Sequence, residues 1–91
     1  MDLSSKIAVV TGAGQGVGLG IASAMAKKGA KVAMLGRTFS KVKNESLKLN
    51  EAGLETLALE CDVKDPYSIS HSQEEIKKIF GPVNVLINNA Q

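Results

Sequence analysis

The chain has 91 residues, of which 44% are hydrophobic, and it carries a formal net charge of +2. A chain of this length forms one globular domain at most, and no apolar run approaches the ~18 residues that a membrane span needs. The single cysteine excludes an internal disulfide and a thiolate metal cluster, and an aromatic content of 3% with no adjacent basic run argues against a nucleic-acid partner.

Apolar segments of strand length alternate with segments of helical spacing along the chain. In order, the pattern predicts a strand at 6–11, a helix at about 15–28, a strand at 31–35, a helix at about 38–52, a strand at 56–59, a helix at 65–80 and a strand at 83–88. We expect the buried helix faces to include Val17 in the first helix and Ile79 in the third. Thr38 and Asp65 stand as N-caps, Pro66 is expected as the first helical residue after Asp65, and Gly29 follows the end of the first helix.

The alternation of strands and helices determines the fold class. A helix between each pair of successive strands requires a crossover connection, and hence parallel strands with right-handed crossovers. We therefore expect an α/β fold, a Rossmann-type doubly wound parallel sheet, formed by residues 1–91 as one domain. The expected spatial order of its strands is 3-2-1-4.

A glycine-rich turn connects the first strand to the first helix. The residues that define it fit the pattern T-G-x-x-x-G-x-G and are Thr11, Gly12, Gly16 and Gly18. The dinucleotide pattern G-x-G-x-x-G fails at Val17, and a phosphate-loop pattern fails because no Gly-Lys pair follows. A helix N-terminus presents unpaired N–H groups, so glycines that let a ligand approach it favour an anion site. Taken alone, the glycines also fit a plain strand-to-helix turn.

On this motif the chain resembles the short-chain dehydrogenase/reductase family, whose members carry it at the amino end of a Rossmann fold. A second match is Asn88-Asn89-Ala90, which is similar to the family's N-N-A-G motif except that Gln91 replaces the glycine. The resemblance implies the N-terminal, NAD(P)-binding half of a longer oxidoreductase. It also implies a set of cofactor-binding residues, which are Thr11, Gly12, Gly14, Gln15, Gly16, Val17, Gly18, Asn89 and Ala90.

Asp62 and Val63 follow the third predicted strand, at the carboxyl edge of the sheet where ligands of open α/β sheets bind. A carboxylate there accepts a hydrogen bond from the adenine amino group, and similar Asp-Val or Asp-Leu pairs have this role in the family. As an alternative, Asp62 caps a turn.

The residues after the second strand predict which cofactor binds. In NAD-binding units an acid at this place holds the ribose hydroxyls and repels a 2′-phosphate. This chain has Gly36 there, followed by Arg37 and Thr38. A guanidinium binds phosphate through two hydrogen bonds, and Thr38 adds a hydroxyl. The sequence therefore favours NADP(H) over NAD(H), although Arg37 also fits an ordinary charge on a surface loop.

The resemblance implies hydride transfer between the nicotinamide and a small carbonyl compound or secondary alcohol. The serine, tyrosine and lysine that handle the proton follow the fourth strand in family members, so no residue of this chain is given a catalytic role. Tyr67 does not form the family's Tyr-x-x-x-Lys pair because position 71 is His71, which we expect to be exposed to solvent. The resemblance also implies a homo-oligomer for the full-length protein.

Two other functions remain open at this point. One is a non-catalytic nucleotide-binding or regulatory module that is complete in itself. The other is a methyltransferase-like domain, which normally has an acid after its second strand, where this chain has Gly36. Residues 1–45 hold seven Lys or Arg against two acids, which suits a phosphate-bearing small ligand. The first residues show no basic region followed by a long apolar core, so we expect the protein in the cytoplasm or in the lumen of an organelle.

Overall fold

The computed structural model describes residues 2–89. Its elements are β1 Ile7–Thr11, α1 Gly16–Lys27, β2 Lys31–Gly36, α2 Phe39–Glu51, β3 Thr56–Glu60, α3 Pro66–Ile79 and β4 Val85–Ile87. Each predicted element is present with the predicted type, and each boundary lies within two residues of its expected position. Over this range no helix is long and apolar enough to cross a membrane.

The strands form one parallel sheet in the order β3-β2-β1-β4, which confirms the expected Rossmann-type topology. Successive residues of a strand point to opposite faces of the sheet. Ala8 and Val10 of β1 pack in a cluster with Ala22 of α1 and with residues of α2. Val9, between them, packs in a separate cluster with Ile76 of α3. The helices therefore cover both faces, with α1 and α2 on one side and α3 on the other.

Two expected core positions on the helices are wrong. Val17 of α1 is 72% exposed, and Ile79 of α3 is 56% exposed. The buried residues of α1 are instead Gly18, Ala22 and Ala26, which share one face at a spacing of four. Val17 precedes Gly18 by one residue and therefore lies off this face.

The last strand, β4, is shorter than the predicted segment 83–88, and just before it the side chain of Asn84 provides a hydrogen bond to β1. The backbone N–H of Asn84 donates to the carbonyl of Ile7 at 2.8 Å. In return, the amide N–H of Ile7 donates to Oδ1 of the Asn84 side chain at 2.8 Å. Asn84 therefore joins β4 to β1 without continuing the regular strand.

The third helix begins with a side-chain cap. Asp65 Oδ1 accepts a hydrogen bond from the N–H of Tyr67 at 3.0 Å, and Pro66 occupies the first helical position, as predicted. Proline lacks one of the N–H groups that a helix start leaves unpaired, so this end needs fewer partners.

The second helix begins at the predicted residue without the predicted hydrogen bond. Thr38 is the N-cap residue, but its side chain makes no capping bond. The donor that such a cap would satisfy is the N–H of Lys41, and this group donates instead to the backbone carbonyl of Thr38 at 3.1 Å. The backbone therefore takes the place of the hydroxyl.

Candidate cofactor-binding site

A cleft of about 320 Å³ opens at the carboxyl edge of the sheet, where β1, β2 and β3 end. Seven predicted cofactor-binding residues line it, namely Gly12, Gly14, Gln15, Arg37, Thr38, Asp62 and Val63. The fold therefore brings the glycine turn, the residues after β2 and the residues after β3 to one place. Their contacts with a cofactor remain a prediction.

The glycine turn is determined by backbone geometry at two positions and by close packing at a third. Gly12 and Gly16 have φ angles of 63° and 59°, in the left-handed region that favours glycine. A Cβ atom at Gly18 would overlap the carbonyl oxygen of Gly12 and would lie 2.6 Å from Asn89 Nδ2. A Cβ atom at Gly14 would meet only ordinary contacts, at 3.4 Å and beyond. The three glycines of the motif are thus the ones that the backbone requires.

The N-terminus of α1 follows this turn and carries no cap. The first N–H groups of a helix have no intrahelical partner. The Gln15 side chain does not cap them, and the first turn of α1 contains no acidic residue. Because the helix dipole adds positive potential at the same end, this terminus suits an anion.

A polar network joins the ends of β1 and β4 behind the glycine turn. The hydroxyl of Thr11 accepts from the N–H of Asn89 at 2.9 Å and donates toward Asn88 Oδ1 at 3.2 Å. Asn89 Nδ2 in turn donates to the carbonyl of Gly12 at 3.4 Å. Thr11 and Asn89 therefore position the turn from behind and do not line the cleft.

The other predicted site residues lie outside the cleft lining. Gly16, Val17 and Gly18 belong to the first turn of α1, where Val17 points into solvent and Gly18 is buried. Ala90 lies outside the described residues. His71, which has no predicted role in the site, is exposed on α3 as expected.

The end of β2 has space for a Cβ atom at Gly36, the position where NAD-binding units carry an acid. A Cβ atom at Gly36 would lie 3.6 Å from Val42 Cβ, which is an ordinary contact, and the φ angle of Gly36 is not positive. Packing therefore does not require glycine here. The absence of an acid beside Arg37 therefore affects the charge of the cleft and is not imposed by packing.

Asp62 has the turn-capping contact that was the alternative to a ligand role. Its Oδ1 accepts from the N–H of Lys64 at 3.0 Å, and its own N–H donates to Ser68 Oγ at 3.0 Å. These bonds fix the loop after β3 while Asp62 still lines the cleft. Capping is therefore observed, and an adenine contact remains a prediction.

Sequence reasoning missed two cations of the cleft, Lys41 and Lys64, which line it together with Arg37. Lys41 Nζ donates to Gln15 Oε1 at 3.2 Å. Within residues 2–89, the ion pairs join other lysines to glutamates, namely Lys31–Glu55, Lys48–Glu45 and Lys78–Glu75. Lys41 could have been predicted from its position three residues after Thr38. A helix that starts at the cleft places the side chains of its first turn at the cleft.

Known proteins match both this sequence and this fold. The family model described as short chain dehydrogenase matches residues 6–91. The chain belongs to the short-chain dehydrogenase/reductase family. Among curated members of the family, the 3-oxoacyl-acyl-carrier-protein reductase FabG of Salmonella typhimurium is 40% identical over 90 residues, which cover 99% of this chain and 36% of FabG. The chain thus spans about a third of the length of such relatives.

Solved structures of the short-chain dehydrogenase/reductase family share the fold. A hydroxysteroid dehydrogenase from Escherichia coli superposes with a TM-score of 0.95 at 29% identity, over 99% of this chain and 38% of its own. L-sorbose reductase from Gluconobacter frateurii, complexed with NADPH and L-sorbose, gives a TM-score of 0.93 at 33% identity, over 99% of this chain and 35% of its own. The family predicted from the glycine turn is thereby confirmed.

Proposed function

We propose that this chain is the cofactor-binding half of an NADP(H)-dependent short-chain oxidoreductase that acts on a small carbonyl compound or secondary alcohol. Members of its family are oxidoreductases that use a nicotinamide dinucleotide. The observation that carries the proposal is the charge of the cleft, where three cations, Arg37, Lys41 and Lys64, line the surface with a single carboxylate, Asp62. An anionic ligand with several phosphates suits that balance.

The roles of the residues follow from their places around the cleft. The glycine turn and the uncapped start of α1 hold the diphosphate, since N–H groups are available there and no side chain blocks the approach. Asp62 and Val63 hold the adenine. Asn89 and Ala90 are assigned to the border of the cofactor's ribose from their match to the family's N-N-A-G motif, and not from the lining of the cleft. A bound NADP(H) supplies the hydride chemistry of its nicotinamide ring.

Arg37 is the residue that selects NADP(H). It lies beside Gly36 at the end of β2, where an acid would otherwise exclude a 2′-phosphate. The NADPH present in the L-sorbose reductase complex is in keeping with this choice. We further propose that the whole protein forms a homo-oligomer and that the family's serine, tyrosine and lysine carry the proton transfer.

Calorimetric titration of the protein with NADPH and with NADH tests the proposal. A charge-assisted contact to the 2′-phosphate contributes about 1.5–3 kcal/mol, so we expect NADPH to bind about ten- to a hundredfold more tightly than NADH. Arg37→Ala should weaken NADPH and leave NADH nearly unchanged.

A second variant tests the preference for NADP(H) by adding an acid instead of removing a cation. Gly36→Asp adds the missing carboxylate where a Cβ atom has room, so the fold should tolerate it. NADPH should weaken about tenfold or more through like-charge repulsion, while NADH keeps or gains affinity. Equal affinities of the unaltered protein for both cofactors, or tighter NADH, would refute the role of Arg37.

A further inference from the structure

Lys41 bridges two segments that are far apart in the sequence. It lies in the first turn of α2, lines the cleft, and donates from Nζ to Gln15 Oε1 at 3.2 Å. The bond is exposed to solvent. A neutral amide in water is a weak partner for an ammonium group, so an anion can replace it at little cost.

The other lysines of α2 have different surroundings. Lys48 pairs with Glu45 at 3.2 Å on the helix surface. Lys43 is exposed and does not line the cleft. Lys41 is therefore the α2 lysine whose charge faces the cleft, and no carboxylate of the described residues lies within 4.0 Å of it.

The negative charge of a 2′-phosphate favours a site with a second cation. A phosphate monoester carries a charge of about −1.5 to −2 at pH 7. Arg37 supplies one positive charge at the end of β2, and Lys41, four residues later in the sequence, lines the same cleft. We propose that Lys41 is a second specificity-determining residue, which leaves the Gln15 amide and binds the 2′-phosphate of NADP(H) together with Arg37. This inference rests on the proposed function.

The experiment compares Lys41→Gln with Lys43→Gln, which makes the same change of charge on the same helix away from the cleft. The protein and both variants are titrated with NADPH, NADH, 2′,5′-ADP and 5′-AMP, and their thermal melts are recorded to check folding. Lys41→Gln should weaken NADPH and 2′,5′-ADP by about tenfold and leave NADH and 5′-AMP within about twofold. Lys41→Arg should restore most of the lost affinity, and Lys43→Gln should change nothing.

A double-mutant cycle with Arg37→Ala makes the test more specific. If both cations bind one phosphate, their effects on NADPH will be non-additive, whereas NADH will show no coupling. Equal weakening of NADPH and NADH in Lys41→Gln would overturn the proposal, because it would place Lys41 on the diphosphate or on the turn itself. Unchanged NADPH affinity would overturn it as well.

The outcome also separates this inference from the proposed function. If the unaltered protein prefers NADPH and Lys41→Gln keeps that preference, only the role of Lys41 fails. If the unaltered protein binds NADH at least as tightly as NADPH, or binds neither, the choice of NADP(H) fails and the role of Lys41 fails with it.

Discussion

The N-termini of α1 and α3 differ in whether a side chain caps the unpaired N–H groups of the first turn. At α3, Asp65 accepts from the N–H of Tyr67 and Pro66 removes a further donor. At α1, the N-cap Gln15 makes no capping bond, and the helix starts within the glycine turn at the cleft. The start of α3 is thus capped by a side chain of its own N-cap residue. The start of α1 has no side-chain cap, and its N–H groups are the ones to which we assign the diphosphate in the proposed function.

The most damaging substitution should be Gly18→Ala, which attacks the turn that presents the open end of α1. The added methyl group would overlap the carbonyl oxygen of Gly12, and backbone atoms cannot move aside cheaply. We expect a loss of about 3 kcal/mol in the free energy of unfolding and more than a tenfold loss of affinity for both NADPH and NADH. Chemical denaturation and calorimetry measure the two effects.

Gly20→Ala is the matched control for that experiment. Gly20 lies in the same helix, and a Cβ atom added there would meet nothing within 4 Å, so alanine should stabilise the helix by about 0.5–1 kcal/mol. If Gly18→Ala unfolded at the same denaturant concentration as Gly20→Ala, close packing would not be the reason for glycine at position 18.

Giving α1 the cap that α3 already has is the next strongest test. Gln15→Asp places a carboxylate at an N-cap with extended backbone angles, φ −166° and ψ 169°. The unfolding free energy should rise by about 0.5–1 kcal/mol. Affinity for NADPH and NADH should fall more than tenfold, because the carboxylate takes the donors and repels the diphosphate. A rise in stability with unchanged affinity would contradict diphosphate binding at this end.

Gln15→Asn separates capping from charge. Asparagine caps about as well as aspartate but is neutral. The gain in stability should therefore be similar, while the loss of affinity for both cofactors should be smaller than in Gln15→Asp.

The sequence predicted the features that depend on glycine spacing and hydrophobic periodicity. The turn around Gly12 and Gly16 and the strand order were accessible because steric limits and crossover connections leave few alternatives. What it missed depends on side chains that replace backbone partners or reach across the chain. The side chain of Asn84 accepts a hydrogen bond from the backbone N–H of Ile7, and Lys41 reaches Gln15 from another element. Periodicity contains no information about such contacts.

The exposure of Val17 has a different cause. Hydrophobicity favoured it as a core residue, but the buried residues of α1 are the small ones, Gly18, Ala22 and Ala26. At Gly18 the structure shows why: an added Cβ atom would overlap the carbonyl oxygen of Gly12.

Removing the cap of α3 should affect stability alone. Asp65→Ala deletes the acceptor of the Tyr67 N–H, so we expect a loss of about 1 kcal/mol in the free energy of unfolding. Affinity for both cofactors should stay within about twofold, because Asp65 does not line the cleft. Asp65→Ser, which keeps a capping oxygen, should recover most of the stability. A marked loss of affinity in Asp65→Ala would show that the two helix ends are not independent.

An effect on stability without an effect on affinity is also expected in the middle of α3, where one buried polar group lacks the kind of partner that Asp65 provides at the start of the helix. Ser72 Oγ is buried and has no hydrogen-bond partner among the described residues. Ser72→Ala should therefore raise the free energy of unfolding by about 1 kcal/mol, since it removes an uncompensated polar atom and improves helix propensity. Ser70→Ala, on the exposed side of the same helix, measures the propensity gain alone. The difference between the two variants gives the cost of burial. A smaller gain at Ser72 than at Ser70 would mean that Ser72 Oγ has a partner after all, and that α3 is satisfied along its whole length.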